Sequence, residues 1–223
     1  MSTDILAFAF DNDDFFTRAP GSHNIYHQAA HKAFHEQYDG TIAYEPWMRW
    51  QTEIYEAGAC MFTAAAAKYG CCRDTLFQRF HELVDTAQIE HDTESTAALT
   101  ALQDRAVIFT DAALSWTQAR NAQSGFSLKI LSRDQGNFNR KAQAPERFEQ
   151  MRQTLSQMLG QDLKPQNILF GDDSASALRV ARQLGYRTLH GHWGYPGRAH
   201  TDEFDFNADH VGTFLVQHGF VAA

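Results

Sequence analysis

Short, uninterrupted runs of apolar residues mark the beginning and the later part of the chain. The first covers residues 5–10, and a second lies at 106–109. Further strands are predicted at 126–131, 167–170 and 186–189, where polar residues stand among the apolar ones. Continuous rather than alternating runs are typical of strands buried on both faces, as in a parallel sheet covered by helices. The pattern therefore predicts five buried strands.

Helical patterns separate the later strands. Helices are predicted over residues 112–123, 145–159 and 174–184. The evidence is the helical pattern of these segments, a proline in the first turn of the second, and a glycine just after each. Strands that alternate with helices predict an α/β fold built on a doubly wound, mostly parallel sheet.

The segment between the first two strands has a different character. Strand signals disappear, and helices are predicted at 22–38, 46–68, 74–85 and 93–103. We therefore expect an all-helical domain over residues 18–103, inserted into a core domain formed by residues 1–17 and 104–223.

Polar residues follow three of the predicted strands at the point where each strand ends. They are Asp11 and Asp13, then Thr110, then Asp172 and Asp173. Because ligands of doubly wound sheets bind beyond the carboxyl ends of the strands, we expect these side chains to meet. Clustered carboxylates require a compensating cation, and an all-oxygen set favours Mg²⁺. The alternative is that each acidic residue merely forms a turn or caps a helix.

A site for phosphate also needs positive charge from the protein. Lys141 is the best candidate, since it lies just before the helix predicted to begin at Pro145. Lys129, inside a strand, and Lys164, in a loop before a strand, fit this position less well.

Charge and composition argue against some kinds of binding partner. Acidic residues outnumber basic ones by 27 to 19, a net charge of −8, which argues against a nucleic-acid partner. No apolar run approaches the roughly 20 residues that span a bilayer, so we expect no membrane partner. Three cysteines and an N-terminus without a basic region favour a cytoplasmic location. The oligomeric state has no signature in the sequence.

These motifs resemble those of the haloacid dehalogenase-like hydrolase superfamily, in particular its phosphatases with a helical cap. The resemblance covers nearly the whole chain. Its four motifs correspond to Asp11-Asn12-Asp13, to Thr110 after a strand, to Lys141 before a helix, and to Asp172-Asp173-Ser174. The fourth motif is similar to that of pyrimidine 5′-nucleotidase-type members.

The resemblance implies a Mg²⁺-dependent phosphomonoester hydrolase that acts on a small soluble metabolite, for which a nucleotide is one candidate. Asp11 would be the nucleophile that forms an aspartyl-phosphate, and Asp13 the general acid and base. Thr110 and Lys141 would bind the phosphoryl group. The metal would be held by Asp11, by the backbone carbonyl of Asp13, and by Asp172 or Asp173.

Two residues depart from the family pattern. Phe15 stands where Thr or Val is usual, and Asp111 where Asn often follows the threonine. An extra negative charge near phosphate would oppose binding unless it points away. The alternative hypothesis is therefore a catalytically weak binding or regulatory protein that keeps the acidic site.

Four histidines, His23, His27, His31 and His35, recur every fourth residue and would form one stripe on a helix. Histidines four apart can chelate zinc when another ligand is present. We interpret the stripe as a polar helix face and keep a metal site as the alternative.

Overall fold

The chain forms two compact units in a computed structural model that describes residues 4–19, 24–38, 40–56, 59–136, 139–195 and 199–222. The first unit joins Met1–Arg18 to Glu90–Ala223, and the second is Ala19–Ile89. The described strands, in chain order, are β1 (Ala7–Phe10), β2 (Thr17–Arg18), β3 (Glu90–His91), β4 (Ala106–Thr110), β5 (Lys129–Ser132), β6 (Ile168–Asp172), β7 (Arg187–Gly191) and β8 (Phe206–Ala208).

The described helices are α1 (Asn24–His35), α2 (Tyr44–Glu56), α3 (Met61–Tyr69), α4 (Arg73–Leu83), α5 (Thr96–Ala101), α6 (Leu114–Ser124), α7 (Pro145–Leu159), α8 (Ala175–Gln183) and α9 (Val211–Gln217). Short 3₁₀ turns connect several of them. No helix within the described ranges is long and apolar enough to cross a membrane.

The first unit is built on one parallel six-stranded sheet. Its strand order is β5-β4-β1-β6-β7-β8, and all five pairings between neighbouring strands are parallel. Strand β1 lies in the middle, so Phe10 aligns with Ile108 on one side and with Gly171 on the other. The predicted α/β fold with a doubly wound parallel sheet is confirmed.

Strand β1 shows why the runs are uninterrupted. Successive side chains of a strand point to opposite faces. Phe8 and Phe10 belong to an apolar cluster that includes residues of α5 and α9, while Ala7 and Ala9 belong to another with residues of α7 and α8. Both faces are covered by helices, so no position of the strand is left for a polar side chain.

Some predicted elements differ from those observed. The helix predicted over 46–68 is two helices, α2 and α3, because Cys60 has an extended backbone (φ −86°, ψ 119°) directly before Met61. Strand β8 escaped prediction because its three residues include Asn207 and lie at the sheet edge. Helix α7 begins and ends as predicted.

The second unit is helical and has its own aromatic core. Phe34 of α1 packs against Trp47 of α2 with ring centroids 4.4 Å apart, and against Tyr69 of α3 at 5.0 Å. Trp47 and Phe34 are fully buried. These rings therefore hold the helices together.

The boundaries of this helical unit are narrower than the predicted domain of residues 18–103. Residues from Glu90 onward lie in the first unit. Strand β3 pairs with β2, and the backbone N–H of Gly212 in α9 donates to Ser95 Oγ at 2.7 Å. A sequence pattern shows that a segment is helical, but not against which domain its apolar face packs.

Phe15, one of the two departures from the family pattern, is fully buried beside the sheet. Its ring lies over two glycines of neighbouring strands, Gly171 of β6 and Gly191 of β7. A Cβ at Gly171 would come within 2.5 Å of Phe15 Cζ, and a Cβ at Gly191 would overlap the same ring. The two glycines thus provide the space that the large side chain occupies.

We predict that Gly191→Ala lowers the free energy of unfolding by about 1–3 kcal/mol, because the added methyl group forces the Phe15 ring out of its place. In a Phe15→Leu background the same substitution should be much less harmful. Urea denaturation of the four proteins measures this coupling. Gly136→Ala is the control, since the nearest atom to a Cβ there is 4.0 Å away. Equal effects of Gly191→Ala in both backgrounds would contradict the packing argument.

Candidate active site

Three carboxylates meet at the carboxyl edge of the sheet. Asp11 follows β1, Asp172 ends β6, and Asp173 comes next; one oxygen of each lies within 4.8 Å of the others. We call Asp11, Asp172 and Asp173 the acidic triad. Neighbouring parallel strands end at the same edge, so residues far apart in sequence are brought together as the strand ends predicted.

Lys141 lies among these carboxylates. Its Nζ is 2.8 Å from Asp11 Oδ1 and 2.7 Å from Asp172 Oδ2, and it donates to the backbone carbonyl of Phe109 at 3.0 Å. Only 2 % of the lysine is exposed. Of the three candidate lysines, Lys141 is therefore the one at the site; Lys129 and Lys164 are exposed.

The charged groups of this cluster shift one another's pKa values. Burial raises the pKa of Asp172, against the opposing effect of Lys141. Burial and the charge of Asp172 also raise the pKa of Asp173. Burial alone would lower the pKa of Lys141, but Asp11 and Asp172 hold it above its ordinary value. The lysine is thus a permanent cation that only partly compensates three acidic groups.

The carboxylate of Asp13 lies outside the acidic triad. Its Oδ1 accepts hydrogen bonds from Trp116 Nε1 at 3.0 Å and from Asn12 Nδ2 at 3.2 Å. Burial, followed by the charge of Asp11, raises the pKa of Asp13 to about 6 despite these donors. A carboxyl group with this pKa can both give and take a proton near neutral pH. A metal-binding role for Asp13 would rest on its backbone carbonyl, as the resemblance implies.

Thr110 ends β4, on the opposite side of β1 from Asp172, and Asp111 follows it. Thr110 is 1 % exposed, and its Oγ1 accepts from the backbone N–H of Ala112 at 3.0 Å. Asp111 accepts from the backbone N–H of Lys141 at 3.0 Å and pairs with Arg147 at 2.5 Å. Although burial opposes it, the positive charges of Lys141 and Arg147 lower the pKa of Asp111. The second departure from the family pattern thus holds the lysine segment in place.

The loop after β7 borders the turn that carries Asp13. The backbone N–H of Gly194 donates to the carbonyl of Asp14 at 2.9 Å, and a Cβ at Gly194 would come within 2.5 Å of that oxygen. Asp14 itself has φ 58°, a conformation that Asp adopts more readily than most residues. His190 Nε2 lies 3.1 Å from the Asp173 carbonyl. Part of this loop, residues 196–198, lies outside the described residues.

Two neighbours of the site escaped sequence reasoning: Trp116 and Arg147. Arg147 is 4 % exposed and donates to the carbonyl of Thr110 at 2.7 Å. Arg147 and Trp116 lie on helices α7 and α6, and nothing in the sequence of either helix distinguishes these two residues as site residues. His190 follows the strand predicted at 186–189, and that position at a strand end already indicates a place near the carboxyl edge of the sheet.

The residues present fit a magnesium ion. The acidic triad offers oxygen donors alone, the ligand type that hard divalent cations take. One ammonium faces three carboxylates, so an additional cation would relieve the remaining repulsion. Asp11, Asp172 and Asp173 are the side chains that would hold it.

Several solved structures have a fold similar to that of this chain. A predicted phosphoglycolate phosphatase from Haemophilus somnus is 16 % identical, with a TM-score of 0.62 over 98 % of this chain and 100 % of that one. The putative HAD-hydrolase YfnB from Bacillus subtilis, bound to magnesium, is 15 % identical, with a TM-score of 0.60 over 95 % and 97 %. An L-2-haloacid dehalogenase is 17 % identical, with a TM-score of 0.56 over 97 % and 100 %. No protein-family model matches the sequence, and no curated protein matches it.

The chain has the fold of the haloacid dehalogenase-like hydrolases. Both phosphatases and a dehalogenase are among the similar structures, so the fold does not decide between these reactions. The residues at the carboxyl edge of the HAD-like sheet must decide it.

We predict that Lys141→Met lowers the free energy of unfolding by about 3–5 kcal/mol in metal-free protein near pH 8, since it leaves buried carboxylates without their cation. The loss should shrink towards pH 5. Without Lys141 the folded-state pKa values of Asp172 and Asp173 rise further above their ordinary values. The stability that these two groups contribute is therefore present at low pH and lost as pH rises through the raised values.

Urea denaturation in EDTA at the two pH values measures this difference. Lys129→Met is the matched control, because that lysine is exposed at the start of β5, and it should change stability by less than about 0.5 kcal/mol. A loss in Lys141→Met that is equal at both pH values would mean that lost packing, rather than charge, explains it.

Proposed function

We propose that this protein belongs to the haloacid dehalogenase-like superfamily and is a Mg²⁺-dependent phosphomonoester hydrolase. The observation that carries the proposal is the position of Lys141, which contacts Asp11 and Asp172 within a group of three carboxylates. A nucleophilic carboxylate, a fixed ammonium and a divalent cation together suit a phosphoryl group, whose oxygens carry negative charge.

In the proposed mechanism Asp11 attacks phosphorus and the alcohol leaves. An aspartyl-phosphate forms, and water then cleaves it to inorganic phosphate and regenerates Asp11. Lys141 offsets negative charge on the phosphoryl oxygens, and the Thr110 hydroxyl donates to one of them. Bound Mg²⁺ would supply Lewis-acid neutralisation of the same oxygens.

Asp13 would give its proton to the leaving alcohol and then take one from the attacking water. Its pKa of about 6, raised by burial and by Asp11, supports both steps. This residue also favours phosphate ester cleavage over dehalogenation. A departing alkoxide is a strong base that needs a proton, whereas a halide ion is a weak base and leaves without one.

A small metabolite is the proposed substrate, with no nucleic-acid or membrane partner. The acidic net charge of −8 supports this choice. The resemblance also implies a helical cap, the kind of domain that selects small substrates and excludes water. A cytoplasmic location is also proposed; no disulfide joins Cys60, Cys71 and Cys72.

The activity is tested by phosphate release from p-nitrophenyl phosphate and from a panel of metabolites, with Mg²⁺ or with EDTA. The panel includes nucleoside 5′-monophosphates, whose hydrolysis would support the nucleotide hypothesis. It also includes 2-phosphoglycolate, because one similar structure is described as a predicted phosphoglycolate phosphatase. We expect turnover with Mg²⁺ and a loss of at least roughly 100-fold with EDTA.

We predict that Asp11→Asn lowers kcat by about 10³-fold or more, since an amide is a far weaker nucleophile than a carboxylate. The fold should persist, because the substitution removes one of three repelling charges and Lys141 keeps Asp172 as its partner. Asp104→Asn, at an exposed turn before β4, is the control and should keep full activity. Substantial turnover by the Asp11→Asn protein would refute the nucleophile assignment.

The alternative of a catalytically weak regulatory protein rested on Phe15 and Asp111. Phe15 is accommodated by glycines, and Asp111 is engaged by Arg147 and the Lys141 backbone, so both are compatible with an active site.

Beryllium fluoride distinguishes these functions, since with Mg²⁺ it mimics a phosphorylated carboxylate. We predict that it raises the melting temperature of the wild-type protein, because a ligand that binds only the folded state stabilises it. The rise should be absent in Asp11→Asn. No rise in the wild type, together with no turnover on the panel, would favour the regulatory alternative.

A further inference from the structure

Two histidines of the helical unit converge with a backbone carbonyl on one point. His31 and His35 lie one turn apart on α1, and their Nε2 atoms are 2.9 Å from each other. The carbonyl oxygen of Ile42 is 2.9 Å from the first Nε2 and 2.8 Å from the second. We call His31 and His35 the histidine pair. His23, the first residue of the predicted stripe, lies outside the described residues.

Hydrogen bonds alone do not satisfy this triangle. It has three close contacts, but a carbonyl oxygen only accepts, and each neutral imidazole carries one proton. If both Nε2 atoms are protonated, two N–H groups face each other. If one is not, its lone pair faces the lone pairs of the Ile42 oxygen. If neither is protonated, lone pairs face one another in all three contacts. In every case at least one of the three contacts is repulsive.

A metal ion satisfies all three atoms at once, since each can donate an electron pair. Ligands about 2.0–2.1 Å from an ion and at right angles to one another are about 2.9 Å apart. The observed edges of 2.8–2.9 Å match one triangular face of an octahedron. Water molecules would complete the coordination on the other side.

The surroundings hold the histidine pair in this arrangement. The His31 ring packs edge-on against Tyr44, with centroids 5.3 Å apart, and lies 5.9 Å from the buried Trp47. Both histidines are half-buried, so an ion from solvent can reach them. His27, one turn earlier, instead contacts Gln51 Oε1 at 3.2 Å through Nδ1.

The geometry points to a binding site for a divalent transition-metal ion that accepts octahedral coordination, such as Ni²⁺, formed by Nε2 of His31, Nε2 of His35 and the carbonyl oxygen of Ile42. Imidazole nitrogen favours this class of ion, whereas Mg²⁺ prefers oxygen. The site is independent of the acidic triad and of the proposed hydrolase activity.

The site is tested by calorimetric titration of full-length, metal-stripped protein with Ni²⁺ near pH 8. The protein must carry no histidine tag. Millimolar Mg²⁺ is present throughout, so that the acidic triad is occupied by the ion it prefers. We expect one Ni²⁺ per chain.

The variants His31→Ala and His35→Ala should each weaken binding by about tenfold or more, because a chelating pair loses the high effective concentration of its second ligand. His27→Ala is the matched control on the same helix and should bind Ni²⁺ as the wild type does. Circular dichroism of each variant reports whether α1 remains folded.

A spectroscopic measurement on the wild type keeps the test independent of variant folding. One equivalent of Cu²⁺, added with Mg²⁺ present, should give an electron paramagnetic resonance spectrum with hyperfine splitting from imidazole nitrogen. Hydrogen exchange with Ni²⁺ bound should slow in residues 28–35 and 42–47. The proposal would be overturned by the absence of stoichiometric binding, by wild-type affinity for Ni²⁺ in both histidine variants, or by a copper spectrum from oxygen ligands alone.

Discussion

Three carboxylates can share one edge of the sheet only because positive charge lies among them, and the ammonium of Lys141 supplies the part that comes from the protein. The lysine is buried, so its position has to be fixed by other contacts. Asp111 binds the backbone N–H of Lys141, and Arg147 binds both Asp111 and the carbonyl of Thr110. Asp111, which departs from the family pattern, therefore helps to fix the position of the lysine on which the site depends.

The turn after β1 depends on packing rather than on charge. Phe15 anchors it against the sheet, and this is sterically allowed because Gly171 and Gly191 have no side chains. The same turn carries Asp13, whose carboxylate is directed to Trp116 instead of the acidic triad. The two acidic residues of one short motif thus have different surroundings, and burial next to Asp11 gives Asp13 a proton affinity suited to acid and base chemistry.

The two units offer donors of different chemistry. The first presents carboxylate oxygens, and the helical unit presents imidazole nitrogens with one carbonyl oxygen. Hard cations select the first kind and transition metals the second. Two ions could therefore bind the same chain without competing, and their effects on catalysis and on stability can be measured separately.

The sequence by itself determined the sheet, because uninterrupted apolar runs such as residues 5–10 tolerate no solvent on either face, and it placed Asp11, Thr110, Asp172 and Asp173 at strand ends. It also favoured Lys141 over Lys129 and Lys164. Only the tertiary structure decided which carboxylates Lys141 contacts, where Asp111 points, and that Trp116 binds Asp13. It also decided that residues 90–101 belong with the sheet, and that the histidine pair meets the carbonyl of Ile42. The physical reason is that hydrophobic periodicity is local, whereas ion pairs and metal ligands depend on distances between segments that the periodicity does not encode.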